Sequence, residues 1–111
     1  MNQEEASGQE GWLPAVAPEE VPEGEARRVL LRGHPIALCR VEGHLYAVDD
    51  TCSHEEASLS QGRLVGETIQ CPKHGSRFSL RTGKPLSLPA YRPIRTYAVE
   101  ERDGRIYVEL P

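Results

Sequence analysis

The sequence predicts an all-β fold, a small antiparallel sandwich or barrel into which a set of loops is inserted. Short apolar and β-branched runs recur between turn residues, and no segment keeps the 3.6-residue period of a capped helix. The middle of the chain, between the two regions with the clearest hairpin signals, has several glycines and prolines and only short strand candidates. The chain has 111 residues, which is the size of one domain.

The N-terminal residues differ in composition from the rest. Residues 1–10 are acidic and polar and contain glycine, which is typical of a flexible tail. We therefore expect a flexible acidic tail over 1–10 and a single domain over 11–111. The basic residues, which begin at Arg27, form no run and do not alternate with aromatic residues. Nucleic-acid binding is therefore not expected.

The first half of the domain predicts three strands and one β-hairpin. Residues 29–32 and 35–41 are candidate strands separated by Gly33. The turn dipeptide Glu42-Gly43 then leads into a third candidate strand, 45–48, which we expect to pair with the second.

The C-terminal region predicts another hairpin. Two candidate strands, 94–100 and 105–110, flank the dipeptide Asp103-Gly104, a strong hairpin signal. The second strand alternates, so that one face should carry apolar and the other polar side chains. The apolar face has Ile106, Val108 and Leu110, and the other has Arg105, Tyr107 and Glu109.

Residues of about 50–92 predict the inserted loops. This region contains four glycines and three prolines and offers only short strand candidates, 64–65 and 68–71. A rigid β scaffold that holds functional loops is a common arrangement in proteins. We therefore expect the functional residues to lie in this region.

Two short motifs in these loops predict a metal centre. Cys52-Ser53-His54 is followed, after 16 residues, by Cys71-Pro72-Lys73-His74. Each loop thus offers one thiolate and one imidazole. Two sulfur and two nitrogen ligands suit either a single zinc ion or an iron–sulfur cluster. Ligand type alone leaves both possibilities open.

This double Cys/His pattern is the signature of Rieske proteins, and the resemblance extends beyond it. Roughly residues 11–110 resemble the ferredoxin component of bacterial ring-hydroxylating dioxygenase systems. The resemblance implies one [2Fe–2S] cluster per chain, with Cys52 and Cys71 on one iron and His54 and His74 on the other. It also implies an electron carrier, not an enzyme, whose partners are a flavin-dependent reductase and a terminal oxygenase or other redox enzyme.

The residues around the motif predict a reduction potential in the lower part of the Rieske range, which spans about −150 to +300 mV. High-potential relatives have an additional cysteine in each loop, joined as a disulfide, where this chain has Lys73 and no second cysteine. They also have a serine and a tyrosine hydroxyl where this chain has Ser76 and Phe78. Ser76 is therefore a candidate hydrogen-bond donor to the cluster, or alternatively an ordinary turn residue. Glu55 and Glu56 add negative charge nearby.

Two other functions are compatible with the motif. The chain could be the Rieske-like small subunit of a larger redox enzyme such as an assimilatory nitrite reductase. It could also be an interaction module stabilised by zinc. The sequence has no Rossmann or P-loop glycine pattern, so we expect its electrons to come from another protein.

The remaining features predict a cytoplasmic protein without a membrane span. No run approaches the roughly 20 apolar residues that cross a bilayer, and the N-terminus lacks the pattern of a secretory signal. We interpret Cys39 as a buried small apolar residue, and His34 and His44 as exposed residues at strand ends.

Overall fold

A computed structural model describes residues 11–53, 56–73, 75–88, 90 and 92–110. Within these ranges the chain forms ten β-strands and two short 3-10 turns, and no α-helix. The all-β prediction is confirmed. The strands are β1 (Trp12–Pro14), β2 (Ala26–Leu31), β3 (His34–Val41), β4 (His44–Asp49), β5 (Arg63–Val65), β6 (Thr68–Gln70), β7 (Arg77–Ser79), β8 (Thr96–Tyr97), β9 (Val99–Arg102) and β10 (Arg105–Glu109).

The strands make three antiparallel sheets. The first has the order β1-β10-β9 and the second the order β2-β3-β4-β8. These two sheets form the predicted sandwich. The third sheet, β5-β6-β7, belongs to the inserted region, so the loops carry a small sheet of their own.

Two apolar cores lie on opposite sides of the second sheet. The basal core fills the sandwich between the first and second sheets, and the loop core joins the second sheet to the inserted region. The buried residues of the basal core are Val21, Val29, Leu31, Ile36, Leu38, Ala47, Ile106, Val108 and Leu110. Those of the loop core are Ala37, Cys39, Val41, Val48, Cys52, Leu59, Ile69, Cys71, Phe78, Leu80, Ala90 and Ile94.

Strand β3 contributes to both cores. Ile36 and Leu38 lie in the basal core, whereas Ala37 and Cys39 lie in the loop core. A strand that is buried on both faces needs a continuous apolar run instead of an alternating one. This requirement explains the unbroken sequence from Ile36 to Cys39.

The predicted hairpin turns are confirmed. Glu42 and Gly43 have φ values of 51° and 79°, and Asp103 and Gly104 have values of 50° and 76°. Two successive residues with positive φ are the requirement of the type I′ turn, whose twist matches that of paired strands. The alternation predicted for β10 is also confirmed, since Ile106 and Val108 are buried and their neighbours are not.

The prediction of one strand over residues 94–100 was wrong. Thr96 and Tyr97 pair with β4 in the second sheet, whereas Val99 begins a strand that pairs with β10 in the first. Ala98 separates the two strands. The chain therefore changes sheets at this point, which a run of strand-forming residues does not reveal.

Three further differences concern short or polar segments. Strand β1 was not delimited, β2 begins at Ala26 rather than at Val29, and β7 was missed. The early part of β2 has the exposed residues Arg27 and Arg28, so it lacks an apolar signal. No helix in the described ranges is long and apolar enough to span a bilayer, and the predicted tail over 1–10 lies outside them.

Gly83 provides a test of how closely the inserted region packs on the sandwich. It has a φ of +79°, and a Cβ there would lie 2.1 Å from the carbonyl oxygen of Ile94. Gly104 has nearly the same φ, +76°, but nothing within 4 Å of such a Cβ. The left-handed conformation should cost either Ala variant about 1–2 kcal/mol, and overpacking should add about 1–3 kcal/mol at Gly83.

We therefore expect Gly83→Ala to lower the free energy of unfolding clearly more than Gly104→Ala. Urea unfolding followed by circular dichroism measures both variants. Equal losses would show that the contact between Gly83 and Ile94 is not as close as described.

Candidate metal centre

The loop that carries the first motif, residues 51–58 (loop 1), is closed by its own backbone. Thr51 and Ser58 form an isolated β-bridge at its base. Inside this bridge, the N–H of Cys52 donates to the carbonyl of Ala57 at 3.0 Å. Loop 1 therefore leaves β4 and returns as a tight hairpin, which directs Cys52 into the loop core.

The loop that carries the second motif, residues 71–76 (loop 2), has the same closure. The N–H of Cys71 donates to the carbonyl of Ser76 at 2.7 Å, again five residues ahead. Gly75 has a φ of +78° and donates its N–H to the carbonyl of Cys71. The two loops thus present their cysteines from equivalent backbone positions.

Both loop cysteines are buried in the same apolar core. Cys52 is 4% exposed and Cys71 is 2% exposed, and both belong to the loop core together with Leu59, Ile69 and Phe78. The two cysteines thus reach one core from separate loops, as is expected of ligands of one metal centre. Apolar surroundings of this kind limit the access of water to the site.

Cys39 also lies in the loop core but in a different setting. It is a member of β3, fully buried between two paired strands. Burial raises the pKa of its thiol to about 12, with a smaller contribution from the negative charge of Asp50. A thiol with a pKa this high is neither a nucleophile nor a ready metal ligand at neutral pH. The interpretation of Cys39 as a buried apolar residue is confirmed.

A third segment, residues 84–92 (loop 3), is fastened to both cysteine loops. The hydroxyl of Ser53 donates to the carbonyl of Arg92 at 2.7 Å, which ties loop 1 to loop 3. The N–H of Ala90 donates to Ser76 Oγ at 3.1 Å, which ties loop 2 to loop 3. Pro85 bridges to Phe78 in β7. Loop 3 is therefore fixed against the base of the other two loops.

Ser76 is one of the few buried polar residues. Its side chain is 1% exposed and accepts the hydrogen bond from Ala90. A hydroxyl has one proton to donate in addition to its acceptor sites. Within the described ranges, no acceptor is found for that proton, so the O–H of Ser76 is available to a group placed in the site.

The structure places part of the predicted site and leaves part outside its described ranges. Cys52, Cys71 and Ser76 are brought together at the base of the two loops. His54 and His74 lie outside the described residues, as do Glu55 and Pro89. His34 and His44 are exposed at the first positions of β3 and β4, as expected, and neither belongs to a cysteine loop.

Sequence reasoning missed the polar residues that shape the loops. Ser53 lies between the two motif residues of loop 1, and its tie to Arg92 had no signal in the sequence. Asp50, two residues before Cys52, is buried and accepts hydrogen bonds from Ser58 and Ser60. The short spacing between an aspartate and two serines is the only sequence feature that could have indicated it.

Comparison with known proteins shows which family has these two Cys/His motifs. Residues 11–98 match the model of the family described as "Rieske [2Fe-2S] domain". The match covers most of the chain and includes both motifs.

Relatives of known function match the chain over nearly their whole length. The ferredoxin component of the naphthalene 1,2-dioxygenase system of Pseudomonas aeruginosa is 42% identical over 101 residues, which are 91% of this chain and 97% of the relative. The 3-phenylpropionate/cinnamic acid dioxygenase ferredoxin subunit of Photorhabdus laumondii is 50% identical over 93 residues, with 83% and 88% of the two chains covered.

A solved structure has the same fold at similar identity. It is described as a complex of reduced oxygenase and oxidized ferredoxin in carbazole 1,9a-dioxygenase. The matching chain has a TM-score of 0.84 and 42% identity, with 89% of this chain and 93% of that chain covered. The chain described here is thus similar to ferredoxins over its full domain.

Proposed function

The chain belongs to the family of Rieske [2Fe–2S] domains, and we propose that Cys52, His54, Cys71 and His74 hold its cluster. The observation that carries this proposal is that Cys52 and Cys71 are buried in one core and come from two loops with equivalent backbone closure. The alternative of a zinc-stabilised module is overturned by the family match.

The described residues fit such a cluster. Thiolates bind iron in all iron–sulfur proteins, and in Rieske centres two histidines replace two cysteines on one iron. The cluster supplies one-electron redox chemistry. Two thiolates and two neutral imidazoles leave the oxidised core without a net charge, whereas four thiolates make it an anion. Adding an electron is therefore easier with this ligand set.

The chain is an electron carrier and not itself a catalyst, like the ferredoxin components to which it is similar. We propose that it accepts single electrons from a flavin-dependent reductase and passes them to the terminal oxygenase of a ring-hydroxylating dioxygenase system. The oxygenase–ferredoxin complex of carbazole 1,9a-dioxygenase supports such a partner. The chain spans nearly the whole of its ferredoxin relatives, which favours this function over that of a nitrite reductase subunit.

Residues near the cysteines support a potential in the lower part of the Rieske range. Neither loop has a second cysteine for a disulfide, and Lys73 takes that place in loop 2. Phe78 is fully buried in the loop core and has no hydroxyl to donate. Ser76 is the buried hydroxyl of these loops whose proton has no acceptor among the described residues.

We also propose a cytoplasmic location for the chain. This location suits a carrier whose reductase partner takes its electrons from a soluble cofactor.

The ligand assignment is tested by three alanine variants. We expect Cys52→Ala and Cys71→Ala to lose the bound iron and the visible absorbance, because each removes a thiolate that no other group replaces. Cys39→Ala is the matched control, since Cys39 lies in the same core but in β3, and it should keep both. Iron analysis and absorbance spectra measure the outcome.

The histidines are tested by electron paramagnetic resonance of the reduced, unmodified protein. An average g value near that of all-cysteine clusters would contradict the mixed ligand set. Full iron content in Cys52→Ala or Cys71→Ala would contradict the assignment of that cysteine.

The carrier function is tested by reconstitution. With NADH, a flavin-dependent reductase and a terminal oxygenase of a ring-hydroxylating system, product formation should depend on the concentration of this chain. We expect a loss of at least about tenfold with Cys71→Ala and none with Cys39→Ala. Stable copurification with a nitrite reductase large subunit, together with no transfer to the oxygenase, would instead establish the subunit function.

The role of Ser76 is tested by the reduction potential. If its hydroxyl donates to the cluster, Ser76→Ala should lower the potential by about 60 mV, which for a one-electron couple corresponds to a charge-assisted hydrogen bond of about 1.4 kcal/mol. Ser53→Ala is the control, because the Ser53 hydroxyl is already donated to Arg92. Equal shifts in both variants, or none in Ser76→Ala, would exclude this role.

A further inference from the structure

Two polar side chains in the described ranges are buried to 2% exposure or less, and both stand near the motifs. They are Ser76, two residues after His74, and Asp50, two residues before Cys52. Burial of a polar group is costly unless it is hydrogen-bonded, and burial of a charge is more so. Ser76 already belongs to the proposed site. Asp50 has no role in it so far.

The carboxylate of Asp50 fastens the returning end of loop 1. Its Oδ1 accepts the backbone N–H of Ser60 at 2.8 Å, and its Oδ2 accepts the hydroxyl of Ser58. The backbone carbonyl of Asp50 accepts the N–H of Leu59 at 2.6 Å. Asp50 thus joins the start of loop 1 to its end on either side of the bridge that encloses Cys52.

The cation Arg28 accompanies this carboxylate. Arg28 Nε lies 3.2 Å from Asp50 Oδ2, but the Arg28 side chain is 49% exposed whereas that of Asp50 is 3% exposed. Water and salt screen an exposed charge far more than a buried one. Inside the protein, the electrostatic field of this ion pair is therefore dominated by the negative charge of Asp50.

The field of Asp50 extends into the loop core. The negative charge of Asp50 contributes, after burial, to the raised pKa of Cys39, which shares that core with Cys52 and Cys71. Glu56, a carboxylate later in loop 1, is exposed and has no comparable path through apolar material. Among the described residues, Asp50 is thus the buried anion with the most direct electrostatic effect on a redox centre in these loops.

We propose that Asp50 is a positioning residue for Cys52 whose buried negative charge lowers the reduction potential of the cluster, with Arg28 partly offsetting it. This inference rests on the proposed ligand role of Cys52. It assigns the low potential to a residue inside the fold and not to Glu56, the exposed carboxylate described in loop 1.

The first test is Asp50→Asn, which keeps the size of the side chain and removes its charge. At a solution potential equal to the midpoint of the unmodified protein, we expect the ratio of reduced to oxidised cluster to rise by about three- to tenfold. The rise should persist at high salt, because the charge removed is buried. Redox titration of the holoprotein followed by absorbance measures this ratio.

Asp49→Asn is the matched control. Asp49 is the adjacent carboxylate, but it accepts hydrogen bonds from Tyr97 OH and from the backbone N–H of Arg95 and contacts His34. These partners lie in β8, just before it and at the start of β3, not in the cysteine loops. We expect the ratio for Asp49→Asn to stay within about twofold of the unmodified protein.

Arg28→Gln provides the second, independent variant. It should shift the ratio in the opposite direction, towards the oxidised form, and the shift should shrink as salt is raised because Arg28 is half-exposed. If Asp50→Asn does not retain its cluster, the sign and salt dependence of the Arg28→Gln shift decide the proposal.

The outcomes separate this inference from the proposed function. A normal mixed-ligand resonance spectrum, with ratios within twofold in both Asp50→Asn and Arg28→Gln, would overturn the role of Asp50 and leave the ligand set intact. Shifts of the same sign in the two variants would also overturn it. An all-cysteine spectrum in the unmodified protein would instead overturn the ligand set.

Discussion

Strand β3 is apolar on both of its faces, and the rest of the molecule depends on this constraint. Ile36 and Leu38 pack into the sandwich, while Ala37 and Cys39 pack under the inserted loops. One strand therefore belongs to both cores, and the loops cannot shift relative to the sandwich without disturbing its most buried element. Interiors packed at crystal-like density transmit such constraints because they contain few voids. The functional loops are thus supported by the main scaffold.

Local chemistry determined which parts of the fold could be predicted. The turns at Glu42-Gly43 and Asp103-Gly104 were predictable because only certain residues tolerate two successive positive φ values. The break at Ala98 was not, because strand propensity is the same whichever sheet a strand joins. Strand β7 was missed because it has one buried residue, Phe78, and exists through its pairing with β6. Pairing partners are a tertiary property that one segment does not encode.

The same distinction holds for the site. Two Cys/His pairs at short spacing indicate a metal centre, since few other kinds of site need those residue types. Asp49 and Asp50 are, by contrast, identical in sequence terms. Strand alternation sends their side chains in opposite directions, one to Tyr97 and the other to Ser58. The residue that is buried beside the cysteine could be identified only after the fold had placed its partners.

The hydrogen bonds that join the loops suit the function of an electron carrier. A centre that gains and loses an electron repeatedly is efficient only if its surroundings change little, and they change least when held by short, saturated contacts. Ser53 ties loop 1 to loop 3, Ser76 ties loop 2 to loop 3, and Asp50 closes loop 1 on itself. Each of these bonds fixes backbone next to an expected ligand. Burial of a polar group in an apolar core is costly. In this fold the buried polar groups lie where their hydrogen bonds hold the loops rigid and where their charge acts on the redox centre.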